Sequence, residues 1–162
     1  MSTLRLAQLS AQKLYGAYDV AHLQEFHRFI FKDIYPWAGE LRSVPSQSQA
    51  ACSPYPSTSQ ATRPTRSTQL AEERHLAGLS RDPFASRLTH YYAEINAVHP
   101  FREGNGRTQR AFLRQLALDA GHSLAWDRLD PEILVFASQH SLQGDNAPMR
   151  ALIESVLDLH DR

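Results

Sequence analysis

His99-Pro-Phe-Arg-Glu-Gly-Asn-Gly-Arg-Thr-Gln-Arg110 lies between two segments of helical apolar spacing. Upstream, Phe84, Leu88, Tyr91, Tyr92, Ile95 and Val98 predict a core-facing helix over 83–98, with Asp82 as its cap and Pro83 in its first turn. His99 ends that helix, because a residue before proline is pushed out of the α region. Downstream, Phe112, Leu113, Leu116 and Ala117 predict a second helix over 106–120, stopped by Gly121. Gly104-Asn105-Gly106 then falls where the second helix begins. Backbone N–H groups without helical partners and the positive end of the helix dipole favour an anion there.

The side chains around this junction suit a nucleotide polyphosphate. Gly104 and Gly106 allow close backbone approach and positive φ. Arg107 and Arg110 are three apart, so they share one helix face and can both reach a phosphate chain. Glu103 can hold Mg²⁺, which takes one or two carboxylates together with phosphate oxygens. His99, with an ordinary pKa near about 6.5, suits a general base at neutral pH. Phe101 reads as a core anchor that fixes the loop.

The same residues resemble the Fic signature, His-x-Phe-x-Asp/Glu-Gly-Asn-Gly-Arg-x-x-Arg, at every specified position. The resemblance extends to Asp19–Arg42, including Trp37-Ala-Gly39, and to Leu70–Gly121 and Asp127–Leu159. It implies an all-α helical bundle carrying a small β-hairpin flap that clamps the target. It also implies an enzyme that moves AMP from ATP to a hydroxyl of a target protein and releases pyrophosphate. On that basis His99 would be the base, and Glu103 would bind Mg²⁺. The backbone of Gly104, Asn105 and Gly106, with the Asn105 side chain, would face the α-phosphate, while Arg107 and Arg110 would hold the outer phosphates.

Among subfamilies the chain is most similar to the small bacterial FicT toxins. That implies a target such as the ATPase subunit of gyrase or topoisomerase IV, and a small antitoxin. In Fic proteins an inhibitory glutamate often lies on a helix of the form Ser/Thr-x-x-x-Glu-Gly/Asn and pairs with the second arginine of the signature. The nearest match, Thr68-Gln-Leu-Ala-Glu72, is followed by Glu73 and lies in the wrong part of the chain, so the glutamate is expected in trans, against Arg110.

The chain of 162 residues reads as a single domain over 1–162. Seventeen basic and seventeen acidic side chains cancel, which gives no whole-molecule case for nucleic acid or a membrane surface. A single cysteine, Cys52, and no apolar run of transmembrane length make the cytoplasm the expected location. The eight histidines lack metal-ligand spacing. Helices are expected over 19–33, 70–79, 83–98, 106–120, 131–143 and 148–160, with a further helix within 1–15.

Residues 46–69 break the pattern. They contain six Ser, four Thr, four Gln and three Pro, with no Ile, Leu, Val, Met, Phe or acid. Such a segment buries too little apolar surface to offset its ordering entropy, so loop or disorder is expected and the flap is doubtful here. A flap that fails to form would leave a catalytically impaired domain that still binds nucleotide or an antitoxin.

Overall fold

A computed structural model describes residues 2–43 and 65–159. The chain forms seven α-helices among these residues: α1 Ser2–Ala11, α2 Val20–Phe31, α3 Thr65–Glu72, α4 Arg81–Val98, α5 Asn105–Asp119, α6 Pro131–Leu142 and α7 Ala147–Val156. Two short strands, β1 His122–Leu124 and β2 Leu157–Leu159, pair antiparallel with His122 opposite Leu159. The expected all-α class holds, with this one small ladder added. The flap and Cys52 lie outside the described residues.

The signature helices α4 and α5 pack on each other at the centre. Helices α6 and α7 cover α4, while α2 covers α5 and is itself covered by α1. Phe84, Leu88 and Tyr92 of α4 meet Phe112, Leu113 and Leu116 of α5 in one core, which Phe26 of α2 and Met149 and Ile153 of α7 complete. Each such side chain contributes about 1.5–3 kcal/mol on burial. The core therefore fixes the two ends of the 99–104 loop before any polar contact is counted.

Local signals account for most boundaries. The Asp19 carboxylate accepts from His22 N at 2.8 Å and caps α2, and Asp130 does the same for Glu132 N, with Pro131 opening α6. Three expectations are corrected. Helix α4 is capped at Ser80, not Asp82, and the Ser80 side chain makes no capping bond. The helix expected over 70–79 is instead α3, which begins at Thr65, inside the stretch expected as loop or disorder, and ends at Glu72, followed by a turn in which Arg74, His75 and Leu76 all have positive φ (52, 52 and 63°). That reversal turns Leu76 fully into the core, and the Glu73 carboxylate is held by Arg87 on α4. The last helix stops at Val156 rather than 160, because Leu157–Leu159 leave it to pair with β1.

Candidate functional site

The loop between α4 and α5 bounds a cavity of about 270 Å³ lined by His99, Arg102, Glu103, Gly104, Asn105, Gly106, Arg107 and Arg110. Every residue singled out in the sequence for chemistry therefore lines one space. Arg102 was not singled out. It occupies a position the signature leaves open, and its guanidinium also lies 5.9 Å from the Trp37 ring centre.

His99 closes α4 through its N–H to Ile95 O at 3.0 Å, with φ 45° and ψ 61°. It leaves the α region as expected before proline, but into the left-handed rather than the extended region. A side chain there costs about 1–2 kcal/mol. Burial first, and the Arg42 guanidinium second, hold the imidazole below its ordinary pKa, against the opposing effect of Glu103. At neutral pH the ring is uncharged and able to accept a proton.

Gly104 is the N-cap of α5 with φ 78°. A Cβ built on it would stand 2.4 Å from the Phe31 ring, so this position requires glycine for both conformation and space. Gly106 differs from expectation: it sits inside α5 without positive φ, and a Cβ there would stand 3.2 Å from Arg110 Nη1. Asn105, which lines the cavity, has a second task. Its Oδ1 accepts from Phe101 N at 2.8 Å and its Nδ2 donates to Phe101 O at 2.7 Å, so its amide braces the loop. The backbone of residues 104–106 lines the same cavity, and the amide keeps one Nδ2–H beyond these two bonds. Phe101 is buried, as the anchor reading requires.

Arg107 lies over Phe31, its Cζ 4.8 Å from the ring centre. Burial is the main cause lowering the pKa of Arg110, Tyr92 opposes it, and Arg107 adds to the lowering. A desolvated cation beside a second one is relieved by an anion in the cavity. Both arginines also line a larger neighbouring groove of about 710 Å³, walled by Leu6, Leu9, Phe26, Leu124, Trp126 and Arg114.

Mg²⁺ fits this donor set in one way. Glu103 supplies one exposed carboxylate at the mouth of the cradle. Among the described residues no group of three His, Cys, Asp or Glu side chains can hold a metal by itself. A single carboxylate suits Mg²⁺ that brings waters and nucleotide phosphates as its remaining ligands.

The Fic/DOC family model matches residues 17–117, the span that builds this cavity and its back wall. The chain belongs to the Fic/DOC family. It is 38% identical over 154 residues to the protein adenylyltransferase VbhT of Bartonella schoenbuchensis, covering 95% of this chain and 32% of VbhT. The chain thus spans about a third of the length of that relative. A Salmonella typhimurium protein named "Probable protein adenylyltransferase Fic" is 36% identical over 157 residues, covering 97% of this chain and 78% of the relative. Among solved structures, the N-terminal Fic domain of a VirB-translocated Bep effector protein from Bartonella quintana, with bound ADP, superposes with a TM-score of 0.83. It is 26% identical and covers 99% of this chain and 82% of that one.

Sequence reasoning missed the floor of this Fic site. Phe31 and His27 of α2 lie beneath the loop, and Arg42 bonds it, N–H to Pro100 O at 2.8 Å. The buried face of α2 includes Leu23, Phe26, His27, Ile30 and Phe31. That spacing is compatible with an internal His27, but nothing in a linear motif says which loop it meets.

Proposed function

We propose that this chain transfers AMP from ATP to a hydroxyl side chain of a target protein, releasing pyrophosphate. The observation that carries this reading is the single cavity that gathers a neutral histidine, a carboxylate, an uncapped helix N-terminus and two guanidiniums. The ADP-bound Bartonella quintana domain and the relatives named protein adenylyltransferases support it.

His99 takes the proton from the attacking hydroxyl, whose oxygen forms a bond to the α-phosphorus. The bond from that phosphorus to the bridging oxygen of the β-phosphate breaks, and pyrophosphate leaves. Backbone N–H groups at 104–106 face the charge that develops on the α-phosphate, and Arg107 and Arg110 hold the outer phosphates. When bound, Mg²⁺ on Glu103 neutralises phosphate charge. Positioning and charge stabilisation of this kind supply most of the rate in phosphoryl-type transfer. Purified protein given [α-³²P]ATP should label a discrete protein, whereas [γ-³²P]ATP should not. Label from the γ position alone would overturn the reading.

The target we favour is the ATPase subunit of gyrase or topoisomerase IV, with a cytoplasmic setting. Among the described residues no helix is long and apolar enough to cross a membrane. A small antitoxin presents its glutamate to Arg110. The groove beside the cavity supports that partner, because it offers the half-buried Leu6, Leu9 and Trp126 to an amphipathic helix whose acid meets Arg110 at the end. The composition of residues 46–69 favours a second reading, a catalytically impaired domain that binds nucleotide or antitoxin without efficient transfer. ATP binding without transfer to any protein of a gyrase-containing lysate would select it.

The lowered pKa of His99 sets the direction of the pH response. A protonated imidazole cannot act as base, so transfer falls as pH drops through the His99 pKa, and this acid limb lies below 6.5. Arg42→Gln removes a cation that disfavours the imidazolium, so the limb should move to higher pH. Rates measured across pH for both proteins check this; an unmoved midpoint would show that Arg42 does not tune the base.

A further inference from the structure

We propose that His27 is the positioning residue of this site, a neutral imidazole that holds the Glu103–Gly104 backbone and the Gly39 turn in fixed relation. The ring is fully buried. Its Nδ1 accepts from Gly39 N–H at 2.8 Å, which fixes the tautomer: Nε2 carries the proton and donates to Glu103 O at 3.0 Å. Burial lowers its pKa, and the bond to Glu103 opposes that lowering. One ring therefore satisfies two buried backbone groups 64 residues apart in the chain, as 103 minus 39 gives.

The contacts on either side make the ring a keystone. One face stacks on Phe101 at 4.0 Å and 18°, and Trp37 is stacked at 5.8 Å and 25°. Phe31, against which Gly104 packs, lies 4.8 Å from the same ring. Gly39 is gripped a second time by α2, its carbonyl accepting from Gln24 Nε2 at 2.8 Å. Three residues later Arg42 N–H bonds Pro100 O, beside His99. The segment that leads into residues 44–64 and the loop that carries the base and the carboxylate are thus referenced to one side chain. His27 does not itself line the cavity, and it reaches the site through the Glu103 backbone. Its effect is to set where Glu103 and the first turn of α5 stand.

The kinetic part of this inference rests on AMP transfer as proposed above; the structural part does not. His27→Phe keeps ring stacking and removes both hydrogen bonds. In that variant, amide exchange followed by NMR should speed up at Gly39, Arg42 and Phe101, with no change in α6 and α7. The rate constant kcat should fall about 100-fold, the loss expected when reacting groups are misplaced by about 1 Å, and KM for ATP should rise with it, because the displaced Glu103 and first turn of α5 line the cavity. Faster exchange confined to Gly39, or kcat within about twofold of the unaltered protein, would overturn the inference.

His27→Gln and His27→Asn keep it testable if the phenylalanine variant does not fold. Glutamine reaches the place of Nε2 and restores the donor to Glu103 O. Asparagine reaches the place of Nδ1 and restores only the acceptor for Gly39. Glutamine should recover loop protection and most of kcat; a glutamine variant no better than the asparagine one would overturn the assignment. If the unaltered protein labels nothing, the transferase reading fails, and the exchange pattern alone still decides whether His27 couples the two segments.

Discussion

His99→Ala should lower the rate of AMP transfer by roughly 10³-fold while leaving ATP affinity nearly unchanged, the loss typical of a missing general base. The expectation follows from two observations and one proposed assignment. The ring lines the cavity beside Glu103 and the α5 N-terminus, burial and Arg42 keep it neutral, and the phosphates are assigned to other groups. The position also has φ 45°, which histidine tolerates better than alanine, so the alanine variant carries a small backbone effect unrelated to proton transfer. His99→Asn separates the two, since asparagine tolerates the left-handed region and is no base. Equal loss in both variants, with ATP binding kept in calorimetry, assigns the effect to chemistry. Recovery in His99→Asn would place it in the backbone.

Gly104→Ala should be the most damaging single-atom change. The new Cβ would lie 2.4 Å from both Cε2 and Cζ of Phe31, at a backbone with φ 78°. The left-handed conformation costs about 1–2 kcal/mol and forced overpacking a further 1–3, so a destabilisation of about 3 kcal/mol is expected. In a domain of this size that corresponds to a Tm lower by roughly 10 °C. Calorimetry of unfolding measures it, and ATP affinity should fall in parallel because the displaced atoms belong to the anion cradle. Phe31→Leu in the same chain should return part of the loss from the clash and none of the part from φ. A variant as stable as the unaltered protein would show that the loop yields without cost.

The sequence made the chemistry of this site legible because Fic-like chains concentrate it in one junction. Apolar spacing placed α4 and α5, and the loop between them had to present its side chains together. Residue type alone also placed the stop at Gly121, which follows α5 with φ 91°. It failed where the deciding contact is distant. The left-handed turn at Arg74–Leu76 contains no glycine, and its reason is the burial of Leu76 and the grip of Arg87 on Glu73. The strand Leu157–Leu159 has an apolar pattern compatible with helix, and only its partner β1 makes it a strand. Asn105 reads from its neighbours as a phosphate ligand; that its amide also bonds Phe101 N and O is a contact no linear motif announces.

The floor supplied by α2 also bears on how the domain acquires its site during folding. The bond between His27 and Glu103 joins residues 76 apart, so the cradle gains its support only after a long loop has closed. Contacts of that separation form slowly, because loop entropy is spent before the contact returns anything. A partly folded chain with α4 and α5 paired but α2 undocked would carry the full signature and no formed nucleotide site. Nucleotide binding then reports complete assembly, and free ATP at 100 times its Kd would draw the chain toward that state by about 2.7 kcal/mol.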